Sequence, residues 1–287
     1  TDIPRLDYTN GTASILLENQ STNLVTYSED FSQSSWAGAA VTRELNQIIS
    51  PDGILNGAKI SASALFAQIQ QNYTSINDAD YTLSVFAKLP SSNVVALRLA
   101  SGSNDVRREF NLSTLSIQSM GGNNQELINE GIENYGNGWY RIFLTCKADG
   151  TSAFLNIYPK NSSDATLQSV FIFGAQLEQS YPTSYIPTSG STVTRAAETL
   201  NNAGNSDLIN STEGVLYAEI SALADDLTNR TIALSDGTTS NTVRIQYLTV
   251  SNSIWATITN IGAGGNQAIL QYTSSDITIN SKVALKY

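Results

Sequence analysis

The sequence holds no histidine and one cysteine, Cys146. That removes Ser-His-Asp and Cys-His nucleophile systems, and histidine-based zinc sites, together. Cys146 ends the apolar run 140–146, so it reads as a small buried hydrophobe rather than a reactive thiol. A lone cysteine forms no intrachain disulfide. Carboxylates are plentiful, 25 in all, and a pair about 5–10 Å apart can cleave a glycosidic bond. With so many acids some pairs meet that spacing by accident. No hydrolase or lyase motif accompanies them, so the chain is expected not to be an enzyme.

Binding is the chemistry the other residue types suit. Sugars are held by aromatic rings under pyranose faces and by polar side chains on the hydroxyls. The run Gln70-Gln71-Asn72-Tyr73-Thr74 gives Tyr73 a polar setting, and Gln68 and Gln70 alternate with Ile69. Alternating amides beside a tyrosine make a shallow groove. Trp36 follows a polar loop and joins Tyr73, Gln68 and Gln70 as the candidate carbohydrate-binding residues. Tyr81, Trp139 and Tyr158 are further aromatics, of which Trp139 lies among apolar residues and reads as core. Trp255 alternates with Ile254 and Ala256. Asp78, Asp80, Asp225 and Asp226 lack a calcium-loop spacing and read as solvated loop carboxylates. Gly262, Gly264 and Gly265 precede no helix that would bind phosphate, so they read as a hairpin turn.

The elements that must carry these residues are strands. Leu83, Val85 and Ala87 alternate with Thr82, Ser84 and Phe86. Val95, Leu97 and Leu99 alternate in the same way, as do Ile142 and Leu144 and the run 154–158. Period-2 alternation puts successive side chains on opposite faces of a strand. Many such strands with no helix between them predict sandwiches or jelly rolls. Gln125–Asn134 reads as a helical turn or irregular loop. Residues 1–22 read as an arm, with a hairpin turn at Asn10-Gly11. Residues 23–188 form one module, 189–212 a Pro/Ser/Gly/Thr-rich linker, and 213–287 a second all-β module. The chain stops inside a strand-like run, so the second sandwich is expected to be incomplete and the polypeptide longer.

The net charge of −10 repels phosphate backbones and anionic membranes, so neither nucleic acid nor membrane is expected as a partner. No apolar run approaches the ~20 residues a membrane helix needs.

Three segments go further. Leu16-Leu17-Glu18-Asn19-Gln20-Ser21-Thr22-Asn23-Leu24-Val25-Thr26-Tyr27-Ser28-Glu29-Asp30-Phe31, with Trp36 following, is one. Gly136-Asn137-Gly138-Trp139-Tyr140-Arg141 is the second. Phe173-Gly174-Ala175-Gln176-Leu177-Glu178 with Tyr181-Pro182-Thr183-Ser184-Tyr185-Ile186-Pro187-Thr188 is the third. Together they resemble the carbohydrate-binding-module-like jelly rolls of bacteriophage fibre and appendage proteins. Glu213-Gly214-Val215-Leu216-Tyr217-Ala218-Glu219 resembles the first strand of a concanavalin-like (laminin-G-like) sandwich. The resemblance implies a virion location, a tail or head fibre or spike, and attachment to host-surface glycans. It implies partners among copies of the chain, often as trimers, and other virion proteins. It requires no cofactor but implies a structural calcium on Glu29, Asp30 and Glu178. A secreted or cell-surface bacterial adhesin, or a polysaccharide-degrading spike enzyme, is the alternative.

Overall fold

The structure is a computed structural model and describes residues 5–8, 11–90, 94–123, 126–159 and 168–287. It is all-β. In chain order the strands are β1 (Arg5–Asp7), β2 (Ser14–Leu16), β3 (Ser21–Asn23), β4 (Ala37–Ala39), β5 (Val41–Ile49), β6 (Leu55–Ala62), β7 (Gln68–Thr74) and β8 (Asp80–Lys88). They continue as β9 (Val94–Ser101), β10 (Asn104–Asn111), β11 (Ser116–Asn123), β12 (Leu127–Asn134), β13 (Tyr140–Lys147), β14 (Ser152–Tyr158), β15 (Ser169–Gln179) and β16 (Val193–Arg195). The last six are β17 (Val215–Ile220), β18 (Arg230–Ser235), β19 (Asn241–Tyr247), β20 (Ser253–Asn260), β21 (Gly265–Thr273) and β22 (Ser281–Lys286).

The chain divides into two compact units, Glu18–Glu198 and a second made of Thr1–Leu17 with Thr199–Tyr287. These bounds differ from the expected arm 1–22 and linker 189–212. The reason is a strand pair: β3 joins β16 through Asn23↔Val193, Thr22↔Thr194 and Ser21↔Arg195. That pairing draws residues 18–22 and 189–198 into the first unit. In the second unit β1 pairs with β2; the turn residue Asn10 lies outside the described residues.

Strand order identifies the first unit as a jelly roll. One sheet contains β6-β15-β8-β13 and the facing sheet β7-β14-β9-β10. Counted along the chain, first-eighth-third-sixth faces second-seventh-fourth-fifth, the double Greek key. β5 and β12 widen the first sheet, and β4 and β11 the second. The inward side chains are those the alternation selects. Leu83, Val85, Ile142 and Leu144 are buried in one cluster with Leu97, Leu99, Leu155 and Ile157. Each such side chain stabilises the fold by about 1.5–3 kcal/mol. Cys146 lies in that cluster, and burial pushes its thiol up to about 12. The expected turn or loop at 125–134 is corrected: Gln125 lies outside the described residues, and Leu127–Asn134 is strand β12. It pairs with β13, whose free edge demands a partner whatever the local propensity.

The three signature segments close one face of this sandwich. In β15 a bulge at Gly174 separates two stretches, and beyond it Gln176 and Glu178 point outward beside Ser84 and Thr82. Gly174 has φ +61° and lies against Phe86 and Tyr185, where a Cβ would be 3.1 Å from both rings. The chain before β4 and the chain after β15 form a strap here. Leu24 donates its N–H to the Leu177 carbonyl, and Asn23 Nδ2 donates to the carbonyls of Ala175 and Ile186. Glu178, 0% exposed, accepts from Ser21 Oγ, Gln176 Nε2, Thr183 N and Thr183 Oγ1 at 2.6–2.9 Å. Arg141, also buried, stands 3.9 Å away. Tyr185 packs over Phe86 and Phe173. We call this the strapped sheet and its partner the open sheet.

The second unit pairs its ends, β17 with β22, and runs β18-β19-β20-β21 as an antiparallel meander. Leu216, Ala218 and Leu285 pack with Ile245, Tyr247, Ile254 and Ala256. The cover is narrower than the sheet. Leu270 and Tyr272 are register partners of Ala256 and Ile254, yet they are 60% and 64% exposed.

Two substitutions separate these environments. Glu178→Ala removes the carboxylate beside the buried Arg141 and leaves several buried donors without an acceptor, and is expected to cost about 3–5 kcal/mol. Leu270→Ala is expected to cost less than about 1 kcal/mol. Urea denaturation of the whole chain measures both, and equal losses would contradict the strap.

Candidate functional site

The structure does not assemble the candidates as the sequence suggested. Trp36 is 1% exposed and packs on Phe31 with ring centroids 5.3 Å apart. Its Nε1 donates to the Tyr27 carbonyl at 2.8 Å. The indole closes one end of the jelly-roll core and offers no face to a sugar, so it is withdrawn as a binding residue. Burying the largest apolar side chain is worth more to the fold than exposing it.

Tyr73 is also separated from the glutamines. On β7 the pleat sends Gln68, Gln70 and Asn72 to one face and Ile69, Gln71 and Tyr73 to the other. Ile69 and Gln71 are buried, and the Tyr73 ring lies 5.5 Å from Tyr81 on that inner side. Burial raises the Tyr73 hydroxyl far above its ordinary value, with Cys146 and Tyr81 adding to it. The parity was legible in the sequence: 73 is an odd number of residues from both 68 and 70.

The carboxylates do not form a ligand set either. Glu178 is saturated by the strap. Glu29 accepts from Tyr185 OH at 2.9 Å and Asn56 Nδ2 at 3.1 Å. Asp30 caps its own turn through Ser32 and Gln33. Among the described residues no group of three or more His, Cys, Asp or Glu is placed to hold a metal. Glu29, Asp30 and Glu178 therefore act as hydrogen-bond acceptors within the fold.

What remains is the outer face of the open sheet. Gln68 and Gln70 stand on it, beside residues the sequence reading passed over. β14 pairs with β7 on one side and β9 on the other, aligning Asn72, Phe154 and Ala100 in one row and Gln70, Asn156 and Arg98 in the next. β10 extends these rows with Asp105 opposite Ala100 and Arg107 opposite Arg98. Tyr158, opposite Ala96, lies one row further. An amide chain crosses the face. Asn156 Nδ2 donates to Gln70 Oε1 at 3.1 Å, and Gln70 Nε2 donates to Asn72 Oδ1 at 3.0 Å. At its head, Asn156 is fully buried, and its Oδ1 accepts no hydrogen bond among the described residues. The signal that finds this row is again alternation: Phe154, Asn156 and Tyr158 are the outward set where Ala153, Leu155 and Ile157 are the inward one.

Charge is organised beside the amides. Asp105 Oδ2 accepts from Arg98 Nε at 2.8 Å and from Arg107 Nε at 2.7 Å. The Arg98 guanidinium also lies over the Phe154 ring, 4.6 Å from its centroid. Burial pushes the Asp105 carboxyl up, but the Arg107 bond and the Arg98 and Arg107 charges outweigh it, so the group titrates below its ordinary value. Burial raises the Tyr158 hydroxyl, against the pull of Arg98 and Arg107.

Two other places hold aromatics. A shallow pocket of about 400 Å³ lies between Ile48–Ser50, Lys88 and the turn Tyr135–Asn137, with Trp139 at its base. Trp139 is 2% exposed and donates Nε1 to the Ile49 carbonyl, consistent with its reading as core. In the second unit Trp255 is half-buried on the outer face of β20, between Gln246 and Gln271 of the flanking strands.

No protein-family model and no curated protein sequence matches this chain. Among solved structures, the CBM22-1–GH10 modules of the Clostridium thermocellum N-terminal endo-1,4-β-D-xylanase 10B, complexed with xylohexaose, are similar at 13% identity and a TM-score of 0.35. The match covers 60% of this chain and 30% of that one. A likeness this distant carries no functional inference, and none of these comparisons bears on a bacteriophage setting.

The Asp105 arrangement predicts a pH dependence. A carboxyl lowered by folding stabilises the native state above its unfolded value, near ~3.9, and loses that contribution as pH falls through the folded value. Asp105→Asn should lower Tm at pH 7 and flatten its decline below about pH 4. Calorimetry across pH tests this, and parallel curves for the two proteins would contradict it.

Proposed function

We propose that this chain binds carbohydrate through the outer face of the open sheet and catalyses no reaction on it. The observation that carries this reading is the amide chain across that face, whose buried end, Asn156 Oδ1, has no donor among the described residues. Leaving such a group unmet costs about 1–3 kcal/mol. A sugar hydroxyl is a donor and an acceptor at once, so it suits the accessible amides of the same chain, Gln70 and Asn72. The strap supports the assignment, because it covers the centre of the other sheet's outer face. Asp105 supports the non-enzymatic half. A general acid must hold a proton near neutral pH, and Asp105 is held charged by two arginines.

The setting follows from the sequence resemblance alone: a bacteriophage fibre or spike attaching to host-surface glycans, assembled from copies of the chain with other virion proteins. A secreted bacterial adhesin would use the same face in the same way.

Isothermal titration of the whole chain against glycans drawn from a bacterial surface-polysaccharide array tests the binding. Gln70→Ala and Asn156→Ala are each expected to weaken it by about fivefold or more with small changes in Tm. Trp36→Ala is expected to lower Tm severely. An intact, folded chain that binds nothing on the array sinks the proposal; shortened polysaccharide after incubation sinks its non-enzymatic half. Self-association is checked by sedimentation over a wide concentration range, and a monomer throughout would remove the homo-oligomer.

A further inference from the structure

Arg98 and Arg107 face each other across β9 and β10 on the open face. Like charges directly opposite on a sheet are unfavourable unless neutralised. In a chain with only 15 Lys and Arg against 25 Asp and Glu, two arginines are nonetheless set side by side there. The fold supplies them with one shared carboxylate oxygen, Asp105 Oδ2. Asp105 is 3% exposed and lies beneath them. Both contact Asp105 through Nε, so these bonds use neither arginine's terminal Nη groups. Arg107, with 38% of its side chain exposed, hydrogen-bonds Asp105. An Nη edge matches a carboxylate in two-point geometry.

The aromatic side of the same face is weak. One face of Phe154 is occupied by Arg98, and Tyr158 is 6% exposed. Little bare ring is left for the stacking that neutral polysaccharides favour. The recognition groups on offer are guanidinium edges and amides.

Resting on the carbohydrate-binding reading above, we propose that the ligand is an acidic polysaccharide carrying sugar carboxylates, with a carboxylate bound at the Nη groups of Arg107 and Arg98 and the adjoining hydroxyls at Gln70 and Asn72.

The test titrates the whole chain with polygalacturonate, with the same polymer after reduction of its carboxyls to alcohols, and with neutral xylan. The expected result is binding of the acidic polymer, at least about tenfold weaker binding of the reduced polymer and of xylan, and weakening with added salt. Arg107→Gln should weaken acidic-polymer binding by about tenfold with Tm nearly unchanged, and Arg107→Lys should restore part of it. Equal binding of acidic and reduced polymers, or preference for xylan, overturns the inference and leaves the carbohydrate-binding reading standing. Acidic-polymer binding that survives Arg107→Gln overturns the assignment to this arginine pair. No binding to any of the three overturns the inference, and the array titration above then decides the broader reading independently.

Discussion

Glu178 has no water to turn to. It lies on the outward side of β15 yet is sealed from solvent, and a carboxylate there is tolerable only if its oxygens are fully bonded. Ser21, Gln176 and Thr183 meet it, and Arg141 stands near. Those partners come from the start of the jelly-roll unit, from the strand itself, and from the chain that leaves it. The carboxylate therefore ties together segments more than 150 residues apart. Glu18 repeats the device: Arg195 pairs with it at 3.0 Å, and Ser184 N donates to it at 2.8 Å. Asn23 and Gln176 satisfy strap backbone groups that no strand pairs. This buried polar clasp holds the strap in place.

The clasp decides which surface is free. On the strapped sheet the outward side chains of β8 and β13, Thr82, Ser84, Phe86, Arg141 and Thr145, are all nearly inaccessible. The open sheet has no such cover over Gln68, Gln70, Asn72, Arg98 or Arg107, which remain partly or largely exposed. The segments most distinctive in the sequence thus build the closed side. The side that can meet a ligand is made of residues that carry no motif. A family signature and a binding site have different physical origins here. One is fixed by the geometry of a buried network, the other by whatever side chains project from a solvent-facing sheet.

The second unit follows the same strand logic with a thinner cover. Its two-stranded layer packs on part of a four-stranded sheet, and Leu270 and Tyr272 keep their core-side register without being buried. Their exposure reflects the width of the opposing layer rather than any failure of pattern.

The sequence by itself determined the all-β class, the strand faces and the exclusion of histidine-dependent chemistry. Alternation is a local property of the backbone, so Leu83, Leu97 and Leu155 could be assigned to the interior by counting, and Trp139 by its apolar neighbours. The same counting, carried one step further, would have separated Tyr73 from Gln68 and Gln70 and selected Asn156. Tertiary structure alone decided the rest. That Trp36 is walled in, that Glu29 and Glu178 are bonded apart, and that residues 18–22 and 189–198 belong to the jelly roll all depend on pairings across more than 100 residues or on packing around a shared core. So does the meeting of Arg98, Asp105 and Arg107 with Gln70 and Asn156: strand order sets it, and strand order is fixed by how two sheets close around their apolar faces, which no local spacing records.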